Sequence, residues 1–131
     1  MIDIHAMFPV MVTSDLASIQ GFYQQVFGFE AVFFDPNFYL HLLHPTSGIQ
    51  LGFMQPQLAN QPSFLHPLMQ PQGYVISLEV KDAAAAYEQA LQMKLNIAMA
   101  LKEEPWGQIH FMLTDPGGFK VDVVQHLTQG N

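Results

Sequence analysis

The chain of 131 residues is half apolar and only 11% charged, which suits one compact domain with a sizeable core and argues against extended disorder. With 4 Lys and Arg against 11 Asp and Glu, the net charge of −7 excludes a basic track for nucleic acid or an anionic membrane and favours neutral or cationic partners. Zero cysteines remove disulfides, thiolate-bound zinc and thiol catalysis, and the opening Met-Ile-Asp-Ile-His lacks a basic leader. No run approaches the ~20 apolar residues of a membrane span, so a cytoplasmic location is expected.

Residues 8–12, Phe-Pro-Val-Met-Val, predict a strand, and Ser14-Asp15 offers an N-cap for a helix. That helix carries Ile19, Phe22, Tyr23, Val26 and Phe27 on one stripe, and Gly28 is placed to end it in a left-handed conformation. Strands follow at 30–34, 38–44 and 49–54, with Pro-Thr-Ser-Gly turning between the last two. The first module, about 5–55, reads βαβββ. Residues 56–72 are rich in Pro and Gln and form a linker or lid. The second module, about 73–127, repeats the order: a strand at 74–80, an alanine-rich helix at 82–93, a strand at 97–101, and strands at 108–113 and 119–125 flanking Asp-Pro-Gly-Gly. Laying H-P-T-S-G-I-Q-L-G-F-M-Q on T-D-P-G-G-F-K-V-D-V-V-Q, an offset of about 70 residues, pairs Gly48 with Gly118 and Gly52 with Asp122.

A duplicated βαβββ unit with V-x-x-D-L-x-x-x-x-x-F-Y-x-x-V-F-G-F in one half and W-G-Q-x-x-F-x-x-x-D-P-G-G-F-x-V-D in the other resembles the vicinal oxygen chelate superfamily. That group includes glyoxalase I, extradiol dioxygenases, and fosfomycin and bleomycin resistance proteins. The resemblance covers nearly the whole chain. It implies an α+β fold in which two modules form an incomplete eight-stranded barrel around a concave ligand cup, in a single domain over 1–131, and usually a homodimer. Metal-dependent members place ligands on the first and last strand of each module, and here those positions fall on Phe8, Gly52, Val75 and Asp122. Of these only Asp122 can bind a metal, whereas Zn, Ni and Fe(II) sites take at least three N, O or S ligands, so neither a metal nor another cofactor is expected.

Geometry limits what the histidines can add to that set. His41 and His44 lie three apart on one strand, so they face opposite ways and cannot close on one ion. His5 and Phe8 fail likewise, His66 reads as a solvated linker residue, and His126 as exposed near the C-terminus. His110 lies within a strand or two of Asp122, and a His–Asp pair can move protons, which makes both residues candidates for an acid–base role. No nucleophile elbow or phosphate loop is present.

Strand parity puts Phe8, Val10, Val12, Gly52 and Met54, and Val75, Ser77, Glu79, Lys120, Asp122 and Val124, on the faces that line the implied cup. Mostly apolar walls with a few separated polar groups suit a small-molecule pocket. Trp106, in the loop Pro-Trp-Gly, is a candidate for stacking on a planar ligand. Phe8, Gly52, Val75, Trp106, His110 and Asp122 are therefore the expected ligand contacts. Asp122 is expected to orient a ligand or to pack near Lys120 and His110. The resemblance is closest to the drug-sequestering, bleomycin-resistance-like branch. A glyoxalase I-like lyase using Asp122 and His110, and a regulatory dimer with a vestigial cup, are the alternatives.

Overall fold

The structure, a computed structural model, describes residues 1–127 and builds the same secondary-structure order twice. The chain divides into two compact units, Met1–Gln70 and the residues from Pro71 onward. In the first, β1 (Val10–Val12), α1 (Leu16–Phe27), β2 (Glu30–Asp35), β3 (Tyr39–Leu43) and β4 (Gln50–Met54) form a sheet of order β1-β4-β3-β2. In the second, β5 (Val75–Glu79), α2 (Ala83–Gln92), β6 (Ile97–Glu104), β7 (Gln108–Thr114) and β8 (Lys120–His126) form a sheet of order β5-β8-β7-β6. This is the α+β arrangement of two βαβββ modules that the repeat implies.

Helix α1 starts where the Asp15 carboxylate accepts from the Ser18 N–H and hydroxyl, and it stops at Gly28, whose φ of 77° is left-handed. Its stripe buries Leu16, Ile19 and Tyr23, and the Tyr23 ring lies 5.6 Å from that of Phe53 on β4. This contact fixes the sheet's parity. Met11, Leu40, Leu42, Leu51 and Phe53 turn towards the helix and are buried, so Val10, Tyr39, His41, Gln50 and Gly52 occupy the other face.

The second unit repeats this logic with other residues. Asp82 caps α2 by accepting from Ala85 N–H at 3.0 Å, and the Tyr87 ring meets Phe111 at 5.1 Å, so Phe111, Val121 and Val123 form the helix-facing core. The Asp-Pro-Gly-Gly turn is held by the Asp115 carboxylate, which accepts from Gly117 N–H (2.9 Å) and Phe119 N–H (3.0 Å). In the first unit His44 does comparable work, its Nδ1 accepting from the Ser47 hydroxyl at 2.7 Å to close the Pro-Thr-Ser-Gly turn.

Two boundaries differ from the sequence expectation in ways that matter for the site. Strand β1 begins at Val10, so Phe8 lies in the extended segment before it. Strand β6 runs on past Leu101 to Glu104, with register shifts between Ile97 and Met99 and between Met99 and Lys102. Each bulge inserts a residue and resets which side chains face which way, so simple alternation along this strand fails.

Candidate functional site

The sheet face of the second unit that turns away from α2 carries the sequence's leading candidates. His110 on β7 pairs across to Val124, and Met112 to Asp122, so His110 and Asp122 are diagonal neighbours on one face. They are bonded: His110 Nδ1 donates to Asp122 Oδ1 at 2.8 Å. The other ring nitrogen, Nε2, donates to Glu104 Oε2, also at 2.8 Å. Lys102 reaches the same Glu104 oxygen at 3.1 Å. His110, Glu104 and Asp122 are all buried, and Lys102 is half out in solvent.

The protonation state follows from the partners. Carboxylate oxygens only accept, so both ring nitrogens must donate and His110 is an imidazolium. Burial works against that charge, but the hydrogen bonds to Glu104 and Asp122 outweigh it and hold His110 above its ordinary value. The hydrogen bond from His110 in turn holds Glu104 below the usual carboxylate value, against the effect of burial and with help from Lys102. Two carboxylates and two cations form a neutral, internally satisfied cluster. An acid–base relay needs one imidazole nitrogen facing the substrate, and here both are engaged by the protein itself.

The remaining candidates on this unit are spread out. Across the parallel β5–β8 pair, Ser77 is opposite Asp122 and Val75 is opposite Lys120, so Val75 sits one step along the same face and is exposed. Lys120 turns back to the Gly118 carbonyl at 3.2 Å, so its ammonium is engaged within its own turn. Trp106, 63% exposed at the β6–β7 turn, donates its indole N–H to Gln108 Oε1 at 2.8 Å. Gln108 continues to His126 Nδ1 at 3.2 Å, and His126 Nε2 lies 3.2 Å from Glu79, forming an exposed polar row along the same face.

In the first unit, Gly52 lies opposite Val10 and His41. A side chain at position 52 would overlap the Tyr39 hydroxyl, which occupies that space. Tyr39 Oη is bonded to His41 Nδ1 at 2.7 Å, and His41 Nε2 to Gln50 Oε1 at 2.7 Å. Burial pushes the Tyr39 phenol above its ordinary value, so it keeps its proton. Phe8 stands edge-on to His41 with ring centroids 4.6 Å apart. This row was not legible in the sequence, where His41 stands out only beside His44, three residues along the strand. Period-two parity puts His41 and Gly52 on one face, but the partnership with Gln50 depends on the hairpin register.

The four positions where the fold family implies a metal do not fit one. Phe8, Gly52 and Val75 carry no donor, and Asp122 is tied to an imidazolium. Glu104 cannot complete a site with Asp122 because the two carboxylates bind nitrogens on opposite edges of one ring. Among the described residues no group of three or more His, Cys, Asp or Glu is placed to hold a metal ion. Among the described residues, too, no helix is long and apolar enough to cross a membrane.

Residues 4–123 match the model of the Glyoxalase/Bleomycin resistance protein/Dioxygenase superfamily, and the chain belongs to that superfamily. Its fold is similar to that of a lactoylglutathione lyase from Agrobacterium tumefaciens (TM-score 0.75, 20% identity, 92% of each chain covered). It is also similar to a bleomycin resistance determinant encoded on the transposon Tn5 (TM-score 0.68, 22% identity, 94% of this chain and 98% of that one). A further likeness is to a glyoxalase/bleomycin resistance protein/dioxygenase from Nocardioides (TM-score 0.77, 17% identity, 100% of this chain and 89% of that one). No curated protein matches the sequence.

Proposed function

We propose that this chain is a small-molecule binding protein of the glyoxalase/bleomycin resistance type, which sequesters a neutral or cationic aromatic ligand without a metal and without transforming it. The observation that carries this reading is the His110 ring, whose two nitrogens are both committed to buried carboxylates. The residues best suited by type to proton transfer or metal ligation are spent on each other. Each unit keeps an exposed aromatic side chain beside its sheet, Phe8 before β1 and Trp106 at the β6–β7 turn, which is chemistry for holding a planar molecule. The net charge of −7 favours a neutral or cationic ligand over an anionic one and disfavours nucleic acid.

The same proposal includes a homodimer in the cytoplasm. Strand β2 is an edge strand exposed along its whole length, and Val32, Phe33 and Phe34 present apolar surface there that a second copy would cover. Light scattering at twice the mass of the chain is the expected result.

A thermal-shift screen of aromatic amines and neutral aromatics, followed by calorimetry and recovery of the ligand, tests the binding reading. Saturable binding with the ligand recovered unchanged supports it. Turnover of a hit by protein carrying one equivalent of a divalent metal would overturn it in favour of a lyase.

A further inference from the structure

The row Tyr39–His41–Gln50 is open at both ends. Gln50 Oε1 accepts from His41, so His41 Nε2 carries the proton, and in the neutral ring Nδ1 is left as the acceptor for the Tyr39 hydroxyl. Tyr39 therefore spends its one proton inside the row and keeps unused lone pairs on an oxygen that lies over Gly52. At the far end, among the described residues, the Gln50 amide nitrogen has no hydrogen-bond partner.

The surroundings add a shape. Gly52 leaves room for the Tyr39 hydroxyl, with Tyr39 Cζ and Val10 Cγ2 each 3.1 Å from where a Cβ would stand. Phe33 lies across from His41, with its ring 6.3 Å from that of Tyr39, and Phe8, from the segment before β1, stands edge-on to His41. The result is an acceptor oxygen and a donor amide set among half-exposed rings, already ordered by internal hydrogen bonds before any ligand arrives.

We infer that Tyr39, His41 and Gln50 form an anchoring subsite for a planar, uncharged phenol, whose hydroxyl donates to Tyr39 Oη. The inference rests on the ligand-binding reading above and names the ligand class for it. His41 is a positioning residue: by accepting the hydrogen bond of the tyrosine hydroxyl it leaves the phenol oxygen free only to accept.

The probes are 7-hydroxycoumarin and 7-methoxycoumarin, alike in shape, of which only the first can donate. Titrated at neutral pH into the full chain, the hydroxyl compound is expected to bind roughly tenfold tighter than its methyl ether. Tyr39→Phe is expected to abolish that preference while leaving the affinity for 7-methoxycoumarin unchanged. His41→Phe, which frees the tyrosine proton for donation to the ether, is expected to narrow it, an effect that loss of packing would not produce. Equal binding of both probes by the unaltered chain, binding of neither, or an undiminished preference in Tyr39→Phe each overturns the subsite. So does a Tyr39→Phe chain that loses both probes equally, since that marks a collapsed face. Should the broad screen return ligands whose affinity ignores Tyr39→Phe, the subsite fails and the binding function stands.

Discussion

At the repeat-related positions Gly52 and Asp122, the two units place different chemistry on the same backbone. Tyr39 pairs with Met54 and His110 with Val124, each partner two residues beyond the position in question, so Tyr39 and His110 are themselves equivalent. In the first unit a tyrosine hydroxyl fills the space over a glycine. In the second a histidine is clamped between a carboxylate at that position and another, Glu104. At these positions one unit thus keeps an adaptable, half-exposed polar row, while the other seals His110, Asp122 and Glu104 into a buried ion cluster. Burial decides the difference: charges taken out of water must be paired, whereas half-exposed neutral groups can wait for a ligand.

The sharpest way to break the comparison is His110→Ala. It leaves the Asp122 carboxylate buried without its cation and should cost about 3–5 kcal/mol, read from urea unfolding. A loss under about 1 kcal/mol would mean the cluster is not the structural counterpart described. Next in size is Gly52→Ala, whose methyl overlaps the Tyr39 hydroxyl and should cost about 1–3 kcal/mol. Combining it with Tyr39→Phe should recover part of that loss, so a double-mutant cycle giving simple additivity would show that the two residues do not compete for one space.

The pH dependence separates the units more finely. His110 is held above its ordinary value of 6.5, so its contribution is complete below that pH and is lost as the pH rises through the raised folded-state value. Glu104 is held below its ordinary value of 4.5, so its contribution is present above that pH and is lost as the pH falls through the lowered one. Melting temperature should accordingly be highest between the two and decline on the alkaline side, and the alkaline decline should vanish in His110→Gln. The smallest effect belongs to Trp106→Ala. At an exposed turn it should change stability by no more than about 0.5 kcal/mol, measured by the same unfolding curves.

The architecture was legible because its signals are local. The α1 stripe, the Gly28 stop and the Asp-Pro-Gly-Gly turn each act within a few residues, and the repeat of motif against motif carried the strand order from one half to the other. The proximity of His110 to Asp122 was legible for the same reason, since both sit on strands joined by one hairpin. Glu104 was not. Its register, opposite Gln108 and diagonal to His110, depends on two bulges in β6, and alternation counted from Ile97 loses its meaning at the first of them. Tyr39 and Gln50 were missed for a different cause: a hydrogen-bonded row of neutral side chains leaves no charge, spacing or composition to mark it.

The tyrosine over Gly52 also constrains how this sequence can change over time. With that ring in place, any residue larger than glycine at position 52 meets an occupied volume, so a donor side chain gained there carries a steric cost from the first step. Tyr39 would have to shrink or turn to relieve it, and doing so would break its bond to His41. The order of substitutions is therefore restricted, and each intermediate gives up an interaction before it gains one. A lineage carrying this pair is held in its present chemistry by a steric ratchet, one that the corresponding Asp122 and His110, joined by attraction, do not share.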